Sequence, residues 1–244
     1  MNDSARERLI FALDVDSFDE ARRWVERLSG KVGIFKVGKQ LFTRCGPDVV
    51  RMIRDAGGEV FLDLKFHDIP HTVAMAGLEA SRLDVRMFNV HALGGSAMMR
   101  RTVEEVHEAC APGKGRRPLL LAVTILTSTD EQALREIGID RPVTEMVVRL
   151  ARLAMDAGMD GVVASPLEIE AIRRACGTDF VIVTPGVRPA FTAANDQKRI
   201  ATPGAALAAG ADYLVVGRPI AQADDPVAAV ELITAEMAQA LVGR

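Results

Sequence analysis

Short apolar runs alternate with helical patterns about eight times along this chain, an alternation that restricts it to folds built from repeated βα units. The runs are Leu9–Leu13, Gly33–Val37, Val60–Leu64, Met87–Val90, Leu119–Val123, Gly161–Ala164, Phe180–Thr184 and Tyr213–Val216. Several are near-continuous in apolar residues, as in Leu119-Leu120-Leu121-Ala122-Val123, which is the mark of strands covered on both faces. Between them the periodicity predicts helices at Ser17–Leu28, Pro47–Ala56, His71–Arg82, Ser96–Ala111, Thr144–Ala157, Pro166–Ala175, Pro203–Ala209 and Pro226–Leu241. An open doubly wound sheet shares this alternation. The absence of a Gly-x-Gly-x-x-Gly after the first run and the count near eight favour a single (β/α)8 TIM barrel over residues 1–244, its active site at the C-terminal mouth of the strands.

Composition narrows the function classes. A chain of 244 residues that is 49% hydrophobic can bury a full core. Its net charge of −3 and isoelectric point near 5.9 give no basic face for nucleic acid. Cys45, Cys110 and Cys176 are odd in number and widely spaced, which speaks against a disulfide framework, a structural zinc site or a Cys/His nucleophile, and for a reducing cytoplasm. Only Leu9 to Leu13 are apolar near the N-terminus, too few for a signal peptide, and no apolar run reaches the length of a membrane span. No dinucleotide, pyridoxal or flavin signature is present, so a cofactor-free enzyme is expected. Met98, Met99 and Met155 read as core filler, and His91 and His107 as structural or surface histidines.

The chemistry concentrates in Asp63-Leu64-Lys65-Phe66-His67-Asp68-Ile69-Pro70, where two carboxylates bracket a lysine at the end of a buried strand. Strand alternation points Asp63 and Lys65 to the same side. Asp14 follows the first strand and Lys36 lies in the second, so the barrel mouth would gather an alternating set of charges. Such a set keeps lysines charged and carboxylates ionised, and aims a fixed field at one point. Isolated, any of these groups would be expensive to bury. Thr184-Pro185-Gly186-Val187-Arg188 and Val216-Gly217-Arg218-Pro219 leave the last two strands, the loops that often bind phosphate in such barrels. Arginine offers paired donors to phosphate oxygens, and Gly217 lets backbone amides come close. His67 and His71 stand four apart as a conceivable zinc pair, but Pro70 interrupts the helix that pair would need.

These residues resemble the orotidine 5′-phosphate decarboxylase family, from Phe11-Ala12-Leu13-Asp14 through Gly217-Arg218 and over nearly the whole chain. Phe35-Lys36-Val37-Gly38, Leu126-Thr127-Ser128-Thr129 and Asp196-Gln197 appear around the Asp63–Pro70 signature in the family's order. The resemblance implies a metal-free lyase that converts orotidine 5′-phosphate to UMP and CO2 at the end of de novo UMP biosynthesis. It implies Lys65 as the catalytic acid, with Lys36 and Asp63 on the same subunit and Asp68 and Thr72 reaching in from the other half of a homodimer. Asp14 and Lys36 would bind the ribose, Thr127 would lie near the pyrimidine, and Arg188, Gln197, Gly217 and Arg218 would hold the phosphate. His71 departs from the asparagine common there. Sugar-phosphate lyases of the same barrel group share the Asp-x-Lys-x-x-Asp pattern but use Mg2+, and Lys36 stands near where they place a metal-binding carboxylate. A barrel that only binds nucleoside phosphates is the non-enzymatic alternative.

Overall fold

The computed structural model describes residues 3–111, 115–189 and 201–242. Eight parallel strands close into a barrel in sequence order, each paired with its neighbours and the last with the first. The strands are β1 (Leu9–Ala12), β2 (Ile34–Gly38), β3 (Glu59–Phe66), β4 (Met87–His91), β5 (Leu119–Val123), β6 (Gly161–Val163), β7 (Val181–Pro185) and β8 (Tyr213–Val216). Every one overlaps its sequence-predicted run. The helices are α1 (Asp3–Glu7), α2 (Phe18–Leu28), α3 (Lys39–Cys45), α4 (Asp48–Asp55), α5 (Pro70–Arg82), α6 (Gly95–Ala109), α7 (Glu131–Glu136), α8 (Val143–Asp156), α9 (Ile169–Cys176), α10 (Pro203–Ala209), α11 (Arg218–Ala221) and α12 (Pro226–Val242).

Strand alternation sorts the apolar residues into two cores. Ile10, Ala12, Ile34, Phe61, Met87, Leu121, Val183 and Val215 point inward and fill the barrel. Their neighbours in sequence, among them Phe11, Phe35, Leu62, Phe88, Leu120, Ile182 and Leu214, point outward against the helices. Burial on both faces is why the strands read as unbroken apolar runs. The helix starts follow side-chain capping: Ser17 accepts from the Glu20 amide at 3.2 Å, Thr202 from Ala205 at 3.2 Å, and Pro70 and Pro203 occupy first turns. The short helices α1, α3, α7 and α11 have no counterpart in the sequence reading, because each is too brief to show a 3.6-residue period. Met98 and Met99 are fully buried, whereas Met155 lies on the exposed face of α8 and fills no core.

The N-terminal floor of the barrel is fastened by charge. Asp160 accepts from the Leu120 amide and Asp212 from the Ile182 amide, both at 2.8 Å, so a carboxylate completes the bonding at the start of β5 and of β7. Arg173 on α9 ion-pairs with Asp212 and donates to the carbonyls of Gly177, Thr178, Phe180 and Gly210. That one guanidinium joins α9, the turn into β7 and the turn into β8. Arg173→Ala would leave a half-buried carboxylate and several carbonyls without their donor, and should lower stability by on the order of 3 kcal/mol in urea unfolding. A loss under about 0.5 kcal/mol, the range of an ordinary surface change, would show that the clamp is dispensable.

Candidate active site

The inward parity that fills the barrel with Ile34, Phe61 and Met87 places Lys36, Asp63 and Asn89 one layer higher, at the C-terminal mouth. Lys36 Nζ lies 3.0 Å from Asp14 Oδ1 and 3.5 Å from Asp63 Oδ2. Lys65 Nζ lies 2.5 Å from Asp63 Oδ1. The four side chains thus form a chain of alternating sign, Asp14–Lys36–Asp63–Lys65, with no net charge. Asp63 and Lys36 are nearly buried, with side chains 12% and 11% exposed, while Asp14 at 65% faces solvent. A lysine above an apolar layer would be costly alone, and ion pairs with two carboxylates offset that cost.

Lys65 does not sit on a regular ladder. Leu62 pairs with Phe88 and Phe66 with Val90, so β3 spends four steps where β4 spends two, and Lys65 adopts a left-handed backbone with φ of 53°. Such a conformation costs a non-glycine residue about 1–3 kcal/mol unless its surroundings compensate. The ammonium does reach the Asp63 side, as alternation predicts, but through a bulge. Asn89, buried and absent from the sequence-derived site, donates from Nδ2 to Asp63 Oδ1 at 2.7 Å and accepts from the Lys65 amide at 2.8 Å.

Glycines leave space for this arrangement. A Cβ on Gly38 would stand 3.2 Å from Lys36 Nζ and 3.5 Å from Asp14 Oδ1, crowding the pair. A Cβ on Gly217 would stand 3.1 Å from the Ala12 Cβ, so the start of the β8 loop is pressed against the end of β1 beside Asp14. Arg218 follows on α11 and is exposed; Arg188 leaves β7, its amide bonded to the Ala201 carbonyl at 3.1 Å. Thr127 is exposed in the loop after β5. Gln197 lies outside the described residues.

Asp68 is not part of the set of charges within this chain. It is exposed, and its carboxylate accepts from the Ile69 amide at 2.6 Å. Thr72 is exposed on the first turns of α5, and Ile69 between them is 67% exposed, unusual for an isoleucine. His67 belongs to the loop before Pro70 and packs not against His71 but against His91, the rings tilted by 43° with centroids 5.7 Å apart. His91 Nδ1 is buried without a partner among the described residues. Burial, with His67, Lys39 and Lys65 nearby, pushes the His91 imidazole down to about 4 against a smaller opposing pull from Asp63, so the ring is neutral at pH 7. His107 is far simpler: its Nε2 lies 2.7 Å from Arg117 Nη1.

A cavity of about 510 Å3 opens at the opposite, N-terminal face, lined by Arg8, Glu59, Arg86, Asp212 and Tyr213 among others. Glu59 and Asp212 there are already neutralised by Arg116, Arg54 and Arg173. The convergence of reactive groups, not this cavity, directs attention to the mouth.

Comparison with known proteins agrees. A family model described as Orotidine 5'-phosphate decarboxylase / HUMPS family matches residues 7–233. The chain is 70% identical over 237 residues to an orotidine 5'-phosphate decarboxylase of Syntrophotalea carbinolica, covering 97% of each, and 64% identical over 235 residues to that of Geobacter sulfurreducens, covering 96% and 98%. The crystal structure of orotidine 5'-phosphate decarboxylase from Lactobacillus acidophilus superposes with a TM-score of 0.83 at 39% identity, over 94% of this chain and 98% of that one. With the closed barrel and the paired lysines and carboxylates at its mouth, these matches establish that the chain belongs to the orotidine 5′-phosphate decarboxylase / HUMPS family.

Proposed function

We propose that this protein decarboxylates orotidine 5′-phosphate to UMP and CO2, the closing reaction of de novo UMP synthesis, without a metal or organic cofactor. The observation that carries this reading is the alternating chain Asp14–Lys36–Asp63–Lys65. Breaking the bond between C6 and its carboxylate leaves an electron pair in the plane of the pyrimidine ring, where no π system absorbs it. Stabilisation must then come from a fixed external charge. The Lys65 ammonium supplies it, transfers its proton to C6 to give UMP, and regains a proton from solvent. Asp63 holds the Lys65 ammonium in place before the reaction, and Lys36 offsets the charge of Asp63. Asp14 and Lys36 bind the ribose hydroxyls, and Thr127 borders the pyrimidine.

The phosphate falls to Arg188, Gly217, Arg218 and Gln197. Binding energy spent there, away from C6, organises the charges at the reacting end. A substrate analogue lacking the phosphate should therefore lose kcat/KM by at least about a thousandfold, a loss near 4 kcal/mol. Turnover within tenfold of the full substrate, on the order of 1.4 kcal/mol, would remove this part of the reading.

The decisive assay follows orotidine 5′-phosphate by absorbance with EDTA present. The native protein should form UMP, and Lys65→Ala should be slower by at least about a hundredfold. Complete loss of activity in EDTA that Mg2+ restores would instead favour the metal-dependent sugar-phosphate lyases.

Asp68 and Thr72, solvent-facing beside the exposed Ile69, support a homodimer in which each chain completes the other's site. Lys65→Ala and Asp68→Ala chains, each nearly inactive, should recover about a quarter of native activity when unfolded and refolded together, since half of the dimers are then hybrids with one intact site. Recovery no greater than the sum of the two separate variants would argue for sites built from one chain. No described helix is long and apolar enough to cross a membrane, in keeping with a cytoplasmic place of action.

A further inference from the structure

We propose that Asn89 is a positioning residue for the decarboxylation, fixing both the Asp63 carboxylate and the backbone from which Lys65 projects. The inference rests on the reading of Lys65 as the reacting acid. Asn89 is fully buried in β4 between Phe88 and Val90, themselves fully buried, so its side chain has little freedom. Its amide nitrogen donates to Asp63 Oδ1, the same oxygen that receives Lys65 Nζ, and its amide oxygen takes the Lys65 N–H. One side chain thereby closes a ring from the lysine backbone through the acid to the lysine's own ammonium.

The chemistry of the residue type makes this specific. The bulge removes the Lys65 N–H from the β3–β4 ladder and leaves it needing an acceptor, while Asp63 Oδ1, already holding Lys65 Nζ, has a lone pair left for a second donor. A carboxamide, with its acceptor oxygen and donor nitrogen on one carbon, meets the two demands at once and without charge. A carboxylate there would add a negative charge to a balanced set; an aliphatic side chain would leave a buried N–H without a partner. The amide therefore holds Lys65 in its left-handed conformation and settles which oxygen of Asp63 faces Lys65 and which faces Lys36. The role is indirect: nothing in the geometry requires Asn89 to touch substrate.

Asn89→Asp tests the idea because it keeps size and the acceptor but exchanges donor for acceptor. At neutral pH the new carboxylate would oppose Asp63 across 2.7 Å. Two carboxylates so close share a proton, and once that proton is taken up on acidification the new group can donate to Asp63 as the amide does. Relative to the native protein at each pH, Asn89→Asp should show kcat reduced by about a hundredfold at pH 8, a KM within about threefold of native, and a kcat ratio that rises by at least tenfold between about pH 8 and pH 5. A kcat within threefold of native at pH 8, a deficit that does not change with pH, or a change confined to KM would each overturn the proposal. Hydrogen exchange at the Lys65 amide, followed by NMR in the substrate-free protein, separates this inference from the decarboxylase reading. The amide should be protected in the native chain and should exchange at least about tenfold faster in Asn89→Ala relative to neighbouring β4 amides. If native protein does not form UMP, the decarboxylase reading fails, and exchange at Lys65 still decides whether Asn89 holds its backbone; equal protection in both chains shows that it does not.

Discussion

One carboxylate, that of Asp63, holds the mouth of this barrel together. Two lysines from different strands lean on its two oxygens, Lys65 with Asp63 as its carboxylate partner and Lys36 with Asp14 as a second. The arrangement is economical in charge: opposite signs alternate along four side chains, and the field they produce is set before any ligand arrives. Water in such a site would have to reorient to stabilise a nascent carbanion, whereas an ammonium already held against a carboxylate does not. The burial of Asp63 and Lys36 strengthens every interaction among them, and makes removal of any one partner far more costly than its own bond.

The two ends of the barrel divide their tasks. At the floor, Arg173, Asp160 and Asp212 tie turns to strand starts through hydrogen bonds to backbone groups, and these contacts concern the frame alone. At the mouth, β2, β3 and β4 carry groups whose bonding partners are one another: Lys36, Asp63, Lys65 and Asn89. Because the strands are packed on both faces, a residue such as Lys36 inherits its position from Ile34 beneath it and Val37 beside it. Reactive groups carried on strands are held more firmly than any loop could hold them.

Much of this was legible in the sequence, for definite reasons. Strands buried on both sides leave continuous apolar runs, so all eight could be located, and a lysine or aspartate interrupting such a run is conspicuous. Lys36, Asp63 and Lys65 were found that way. Asn89 was not: one uncharged polar residue in Met87-Phe88-Asn89-Val90 carries no sign of its partners, which lie on the neighbouring strand. The bulge at Lys65 was equally silent, since left-handed backbone is foreseen at glycine and not at lysine. His91 passed as an ordinary histidine because its significance lies in what surrounds it, namely His67 and the cations of the mouth. Short helices such as α3 and α11 escaped because tertiary packing, not periodicity, holds them. Asp68 stood out in the sequence as part of the signature, yet among the described residues of this chain its carboxylate meets only the amide of Ile69 in its own turn.

The contact between Gly217 and Ala12 has a consequence for how the protein comes into being. It joins the first strand to the last, where Leu9 pairs with Leu214 across about two hundred residues of chain. Asp14 and the β8 loop are neighbours only after that seam has closed. A nascent chain emerging from the ribosome therefore carries its lysines and carboxylates for most of synthesis without the geometry that makes them reactive, and competence arrives in one late step, when the barrel shuts.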